Sequence, residues 1–130
     1  MYPEYAEING KEYKLDTSWK NALECFEIIR NADGIPVLAH PHSMLMDDKT
    51  LFEQIFEMKK AGLQGIEAYH SNVPKRLSEK LVTLAMEEKL YLTGGSDYHG
   101  IIAKPDIELF SGMNNNIKIK KLRLIDDLKK

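Results

Sequence analysis

Apolar and polar positions along the chain change rhythm several times, and each change marks an element. "YAEINGKEYKL" has two short runs alternating in polarity around Asn9-Gly10, the pair a tight type I′ turn favours, which predicts a β-hairpin. Trp19, Leu23, Phe26 and Ile29 or Arg30 then recur at helical spacing. With Thr17 or Ser18 as cap and Gly34 as stop, they predict a helix over about 18–32. "GIPVLAH" (34–40) is almost continuously apolar, as a strand buried on both faces would be. Leu51, Ile55 and Met58, with Phe52 and Phe56 alongside, give the next helix, ended by Gly62. "GIEAY" (65–69) reads as a strand, and Leu77, Leu81, Leu84 and Ala85 stripe a helix with Pro74 at its first position. "LYLTG" (90–94) is a third strand. "KPDIELFSGMNNNIKI" is irregular, its asparagines marking a turn or mobile loop. The tail resumes with Ile117 and Ile119 alternating, then Leu122, Ile125 and Leu128 at helical spacing.

Strands alternating with helices predict an α/β fold of parallel βαβ units. Their right-handed crossovers put the helices on one side of consecutive strands.

Composition narrows the function classes. The 130 residues are 43% hydrophobic and 29% charged, the profile of one globular domain. A net charge of −2 offers no drive toward nucleic acid or membrane surfaces. There is no spanning apolar stretch and no signal-peptide pattern at the start, and the lone Cys25 fits a core position in a reducing, cytoplasmic protein.

The four histidines decide more. His40 and His42 follow "PVLA", His70 follows "GIEAY" and His99 follows "LYLTGGSDY", so each lies at or just past the C-terminal end of a predicted strand. Asp97 shares the third end, and Glu67 lies inside the second strand near its exit. In parallel α/β architectures that rim is where side chains from separate strands converge on a ligand. Asp97 and His99, two apart and flanked by glycines, suit a metal site or an acid–base pair, and equally a polar turn. His42 reads as a site residue or as a loop residue capping the next turn. His70 reads as a site residue or as a surface residue beside a Ser71/Asn72 helix cap. Glu67 in an apolar strand needs some cation, proton or donor to meet it. Imidazole and carboxylate together are a usual ligand set for Zn²⁺, Mn²⁺ or Fe²⁺, which acidify bound water and offset phosphoryl charge. No nucleophile elbow, Walker loop or dinucleotide loop is present.

"GIPVLAHP", "GIEAYHS" and "TGGSDYHG" followed by "KPDIELFSG" resemble the polymerase and histidinol phosphatase (PHP) family of metal-dependent phosphoesterases, with the motifs in the family's order. The nearest likeness is to the bacterial branch acting on nucleoside phosphates and short RNA, and it runs from about residue 18 to the C-terminus. The resemblance implies a distorted seven-stranded (β/α) barrel with two or three divalent ions (Mn, Zn or Fe) at its C-terminal rim. It implies His40, Asp97 and His99 as metal ligands, Asp97 and His99 as catalytic residues, and Glu67 and His70 lining the same pocket. His42 joins these two as a further candidate for metal or substrate.

Two departures qualify the likeness. The family opens with a His-x-His strand, and no histidine precedes residue 34 here; His40-Pro41-His42 belongs to the "AHP" motif. Many relatives also carry a histidine a few residues beyond "GIE", where this chain has Val73. The chain therefore looks like a C-terminal half: residues 1–16 a hairpin or linker, 17–130 part of the barrel. The expectation is a phosphoesterase portion acting on phosphate esters of nucleotides or short RNA, inactive by itself. The alternatives are a non-catalytic remnant or partner-dependent subunit, and, more distantly, a C–N bond hydrolase. A few parallel strands cannot close a barrel, so an open sheet edge offers self-association.

Overall fold

The structure, a computed structural model, describes residues 5–8, 10–14 and 22–119. The expectations at Asn9, Thr17, Ser18 and Trp19 and at Leu122, Ile125 and Leu128 lie outside the described residues.

Strands β1 (Tyr5–Ile8) and β2 (Lys11–Lys14) pair antiparallel with Ile8 opposite Lys11, and Gly10 has φ +74°. That is the predicted hairpin, with a positive φ where the tight turn requires one. Helix α1 spans Ala22–Asn31. Asp33, with φ +58°, rather than Gly34 takes the left-handed position that ends it, and the Gly34 N–H returns to the Ile29 carbonyl at 2.8 Å.

The central sheet has the order β3 (Val37–Leu38), β4 (Gly65–His70), β5 (Tyr91–Gly95), all parallel. The three strands are adjacent, as their βαβ pattern predicts. β3 is shorter than the 34–40 run suggested, and its residues are half-buried rather than buried on both faces. Pro36 has no N–H for the ladder, although its carbonyl still accepts from Gln64 and Gly65. At the other end His40 turns to φ +28°, and Pro41–Met44 wind into a short 3-10 helix.

Helices α2 (Asp48–Lys60) and α3 (Lys75–Glu87) make the crossovers. Asp47 caps α2 by accepting from the Thr50 N–H at 2.8 Å. Pro74 stands at the N-cap of α3, one position before the helix begins rather than at its predicted first position. Asp48 of α2 meets both Arg76 and Lys80 of α3, so the two helices lie side by side. Leu51 and Ile55 of α2, Leu77, Leu81, Leu84 and Ala85 of α3, Ile66 and Ala68 of β4 and Leu92 of β5 form one buried cluster. Each fully buried aliphatic side chain there contributes about 1.5–3 kcal/mol. Glu67 and Thr93, opposite each other on β4 and β5, are only half-buried.

The β4–β5 ladder slips between Glu67 and Tyr69, a bulge at Ala68. In a regular strand residues 67 and 70 would face opposite sides; the extra residue re-aims one relative to the other. The irregular stretch contains an unforeseen antiparallel pair, β6 (Ile107–Glu108) and β7 (Gly112–Met113). Asn114 and Asn115 turn the chain with positive φ, as expected of asparagine, but Ile117 and Ile119 form no strand. Among the described residues no helix is long and apolar enough to cross a membrane.

Candidate metal centre

The end of β4 and the loops leaving β3 and β5 carry the candidate side chains to one rim of the sheet. His40 and Asp97 hold positive φ (+28° and +58°), a conformation that costs a residue with a Cβ and that clusters at functional sites. The two glycines of "TGGSD" have separate reasons. A Cβ on Gly94 would meet the Tyr69 Cβ at 2.8 Å, and one on Gly95 would meet Glu67 Oε2 at 3.2 Å. Glu67 is met by a backbone donor: its Oε1 accepts from the His40 N–H at 2.9 Å.

Hydrogen bonds assign a tautomer to three of the rings. Ser43 Oγ donates to the His40 carbonyl at 2.9 Å, so its one proton is used and it can only accept from His40 Nδ1 at 2.9 Å. Neutral His40 thus carries its proton on Nδ1 and leaves Nε2 with a bare lone pair. His99 Nδ1 lies 2.6 Å from the Asp97 carbonyl oxygen, which can only accept, so His99 Nε2 is bare as well. This is the second-sphere arrangement that prepares an imidazole to bind a metal. His70 is the reverse. Its Nδ1 accepts from the Asn72 N–H at 3.0 Å, so the neutral ring bears its proton on Nε2.

His70 is buried, at 5% exposure, and is not the surface residue beside a helix cap that one reading allowed. Ser71 is buried too, and its hydroxyl donates to the Ser96 carbonyl at 2.7 Å, tying the end of β4 to the loop after β5. The His40, His42 and His70 rings form a cluster, with centroids 4.8 Å apart for His42–His70 and 5.8 Å for His40–His70. Burial holds His42 and His70 below the ordinary imidazole range; for His42 the neighbouring His70 and His40 add to this, while for His70 the Glu67 and Asp97 carboxylates oppose it.

Asp97 is the hinge of the rim. His70 Nε2 lies 3.7 Å from its Oδ2 and His99 Nδ1 3.6 Å from its Oδ1. Lys104 bonds Asp97 Oδ2 directly, and that bond holds the carboxyl below its usual range. Sequence reasoning missed Lys104 as well as Ser43 and Ser71. "KPD" was visible as a motif, but nothing in its spacing told that the turn after Gly100 folds Lys104 back on Asp97.

These residues suit a divalent metal in chemistry but not in placement. Two fully shielded ring atoms, His42 Nδ1 and His70 Nε2, have no hydrogen-bond partner among the described residues, and the donor set of imidazoles and carboxylates fits such an ion in chemistry. The expected convergence of His40, Asp97 and His99 on one point is not made. The described residues contain no group of three His, Cys, Asp or Glu placed to hold one ion, and Asp97 is engaged by Lys104 instead. A groove of about 670 Å³ between α3 and residues 114–118 has His70 at its edge, but none of His40, His42, Glu67, Asp97 or His99 otherwise lines it.

Comparison with known proteins supplies context for this rim. No family profile matches the chain. A phosphoribosyl 1,2-cyclic phosphate 1,2-diphosphodiesterase of Eggerthella lenta is 33% identical over 71% of the chain, and a 5′-3′ exoribonuclease of Haemophilus influenzae is 30% identical over 69%. The chain spans about a third of the length of each, 33% in both cases. Among solved structures, one from Bifidobacterium adolescentis named as a metal-dependent phosphoesterase superposes with a TM-score of 0.61 at 30% identity, covering 87% of this chain and 38% of that one. A sulfate-bound, metal-free amidohydrolase from Chromobacterium violaceum gives 0.59 at 28% identity, covering 71% and 32%. Over about 70% of its length, the chain is homologous to PHP-type metal-dependent phosphoesterases.

Proposed function

We propose that this chain supplies strand-end residues to a metal-dependent phosphoesterase centre of a partly assembled (β/α) barrel, acting on phosphate esters of nucleotides or short RNA. The observation that carries the reading is the pair of prepared imidazoles: His40 and His99, from different strand ends, each keep Nε2 bare. In this reading His40, Asp97 and His99 would contribute donors to Mn, Zn or Fe together with ligands from outside the described residues, and Glu67 fixes the loop of His40 through its backbone N–H. His42 stands beside them as a further donor. A divalent ion bound there acidifies water and offsets charge on the phosphoryl oxygens. His70 differs in role: its Nε2–H is shielded and has no partner among the described residues, and it would have to be uncovered to donate to a substrate oxygen.

The 130-residue chain alone is expected to turn over little or no substrate, because a hydrolytic centre needs enough fixed ligands to hold its ions and leave room for water. A His-x-His strand joined in front of it should restore hydrolysis. The second reading is a non-catalytic remnant or partner-dependent subunit, and the absence of a three-residue ion site among the described residues favours it. Titrating Mn²⁺ into the chain by electron paramagnetic resonance separates the two. Binding that is lost in Asp97→Ala supports the phosphoesterase centre, and no binding at any accessible concentration supports the remnant. Assay of a nucleoside monophosphate and a short RNA on the extended protein then tests the substrate class.

A further inference from the structure

The groove between α3 and residues 114–118 has two built walls. Lys75, Ser78, Glu79, Val82 and Thr83 recur at i, i+3, i+4, i+7 and i+8, so one face of α3 forms the first. Residues 114–118 form the second, and the buried Tyr69 and Val73 complete the lining. The second wall is fixed by its own chain. Asn116 Oδ1 accepts from the Met113 N–H at 3.0 Å, its Nδ2 donates to the Ser71 carbonyl at 2.5 Å, and the Ile117 N–H donates to the Ser111 carbonyl at 3.1 Å. Asn116 is thereby spent. The exposed Asn114 and Asn115 side-chain amides make no hydrogen bond among the described residues, and both stand on left-handed backbone, with φ +49° and +57°. At about 670 Å³ the groove falls inside the roughly 300–1,000 Å³ span of small-molecule sites.

We infer that this groove is a nucleoside subsite, taking the base and sugar of a nucleotide while Lys118 meets a phosphate oxygen. The inference rests on the nucleotide part of the reading above and needs no metal ion. Three features of the lining select that ligand class. Tyr69, Val73, Val82 and Ile117 give an apolar surface for a flat heterocycle. Asn114 and Asn115 each present an amide donor beside an amide acceptor, the pair that matches the N6 and N7 edge of adenine. The cations Lys75 and Lys118 outnumber the carboxylate Glu79, which favours an anionic ligand. Lys75 is loosely paired with Glu79 at 3.9 Å, whereas Lys118 has no ion-pair partner among the described residues. His70 belongs to both places: it lies at the edge of the groove, and its ring stands 3.7 Å from Asp97 at the rim. A nucleoside held in the groove therefore adjoins the rim.

Heteronuclear NMR of the nitrogen-labelled chain, with a chelator present, tests this with adenosine monophosphate, adenosine, ribose phosphate and inorganic phosphate as probes. Adenosine monophosphate should bind most tightly and shift amides of α3 and residues 114–118. Thr83→Trp fills the groove from an exposed helix position and should weaken that binding at least about tenfold. A double Asn114→Gly/Asn115→Gly variant removes both amides while suiting the left-handed backbone, and should weaken both adenine compounds about 5- to 20-fold. Lys118→Met should weaken adenosine monophosphate about fivefold and leave adenosine within about twofold. Circular dichroism confirms that each variant folds. No shift with any probe at millimolar concentration overturns the inference, as does equal binding by the wild type and every folded variant. Shifts confined to His40, His99 and their loops place the nucleotide at the rim, which overturns the groove while supporting the phosphoesterase reading. That reading is judged separately by the Mn²⁺ titration, so the two fail independently.

Discussion

His70 and Asp97 face each other across two neighbouring strand ends, with Nε2 3.7 Å from Oδ2. The gap is beyond hydrogen-bonding distance, so the Nε2 proton of the buried ring is left without an acceptor among the described residues. His40 and His99, by contrast, have spent their Nδ1 protons within their own loops. Three histidines on one rim therefore divide into two with a lone pair to offer and one with a proton.

That division is measurable. His40→Ala and His99→Ala should each weaken Mn²⁺ binding about 10–100-fold, whereas His70→Gln should leave it within about threefold of wild type. Isothermal titration of the three variants decides the matter. Loss of binding in His70→Gln as large as in His40→Ala would reverse the tautomer assigned to His70.

Acid should loosen the fold through the same rim. His42 and His70 lie below the ordinary imidazole value of 6.5 when folded, chiefly because burial disfavours the charged ring. Their contribution is complete above the unfolded value and is lost as pH falls through the window below 6.5, because the unfolded chain takes up the protons first. The urea midpoint should therefore drop between about pH 7 and about pH 5, and drop less in a His42→Gln/His70→Gln double variant. Parallel pH profiles for the two proteins would assign the loss to other groups.

Ser71 holds the ends of β4 and β5 together through its buried bond to the Ser96 carbonyl. Ser71→Ala should cost about 1–3 kcal/mol in equilibrium unfolding, since a buried carbonyl loses its donor. A change below about 0.5 kcal/mol would mean that the bond is replaced in the variant.

Gly94 and Leu81 test the packing on and beside the sheet. Gly94→Ala forces a methyl against Tyr69 and should destabilise by about 1–3 kcal/mol. Leu81→Ala empties a fully buried position under the sheet and should cost about 2–5 kcal/mol. Denaturation curves for each variant supply both values, and near-neutral results would contradict the packing described.

An open edge should show itself in solution. Among the described residues β3 and β5 are the outer strands of the central sheet, and β5 has five residues. Self-association through that edge is expected to rise with concentration in sedimentation analysis. A monomer at all concentrations would show that the edge is otherwise protected.

Much of this was legible in the chain because period and punctuation agree. The stripe of Leu77, Leu81, Leu84 and Ala85 is buried to the last residue, and the three apolar runs became neighbouring parallel strands. Placing every histidine at a strand end was legible for the same reason. What the pattern could not carry is geometry set by single backbone events. The bulge at Ala68 changes how Glu67 and His70 face relative to each other, and no residue type announces it. The turn that returns Lys104 to Asp97 is likewise a matter of dihedral angles, with Gly100 its only visible trace. The shortness of β3 could have been foreseen from Pro36, whose missing N–H limits the ladder wherever it falls.

The left-handed backbone at His40 and Asp97 also bears on how this sequence would fare under redesign. At both positions glycine adopts the observed φ at no steric cost, and each replacement would relieve on the order of 1 kcal/mol of strain. A procedure rewarding thermal stability alone would thus favour His40→Gly and Asp97→Gly, erasing two of the proposed ligands while improving its own score. The residues a stability filter would discard first are the ones the chemistry has most reason to keep.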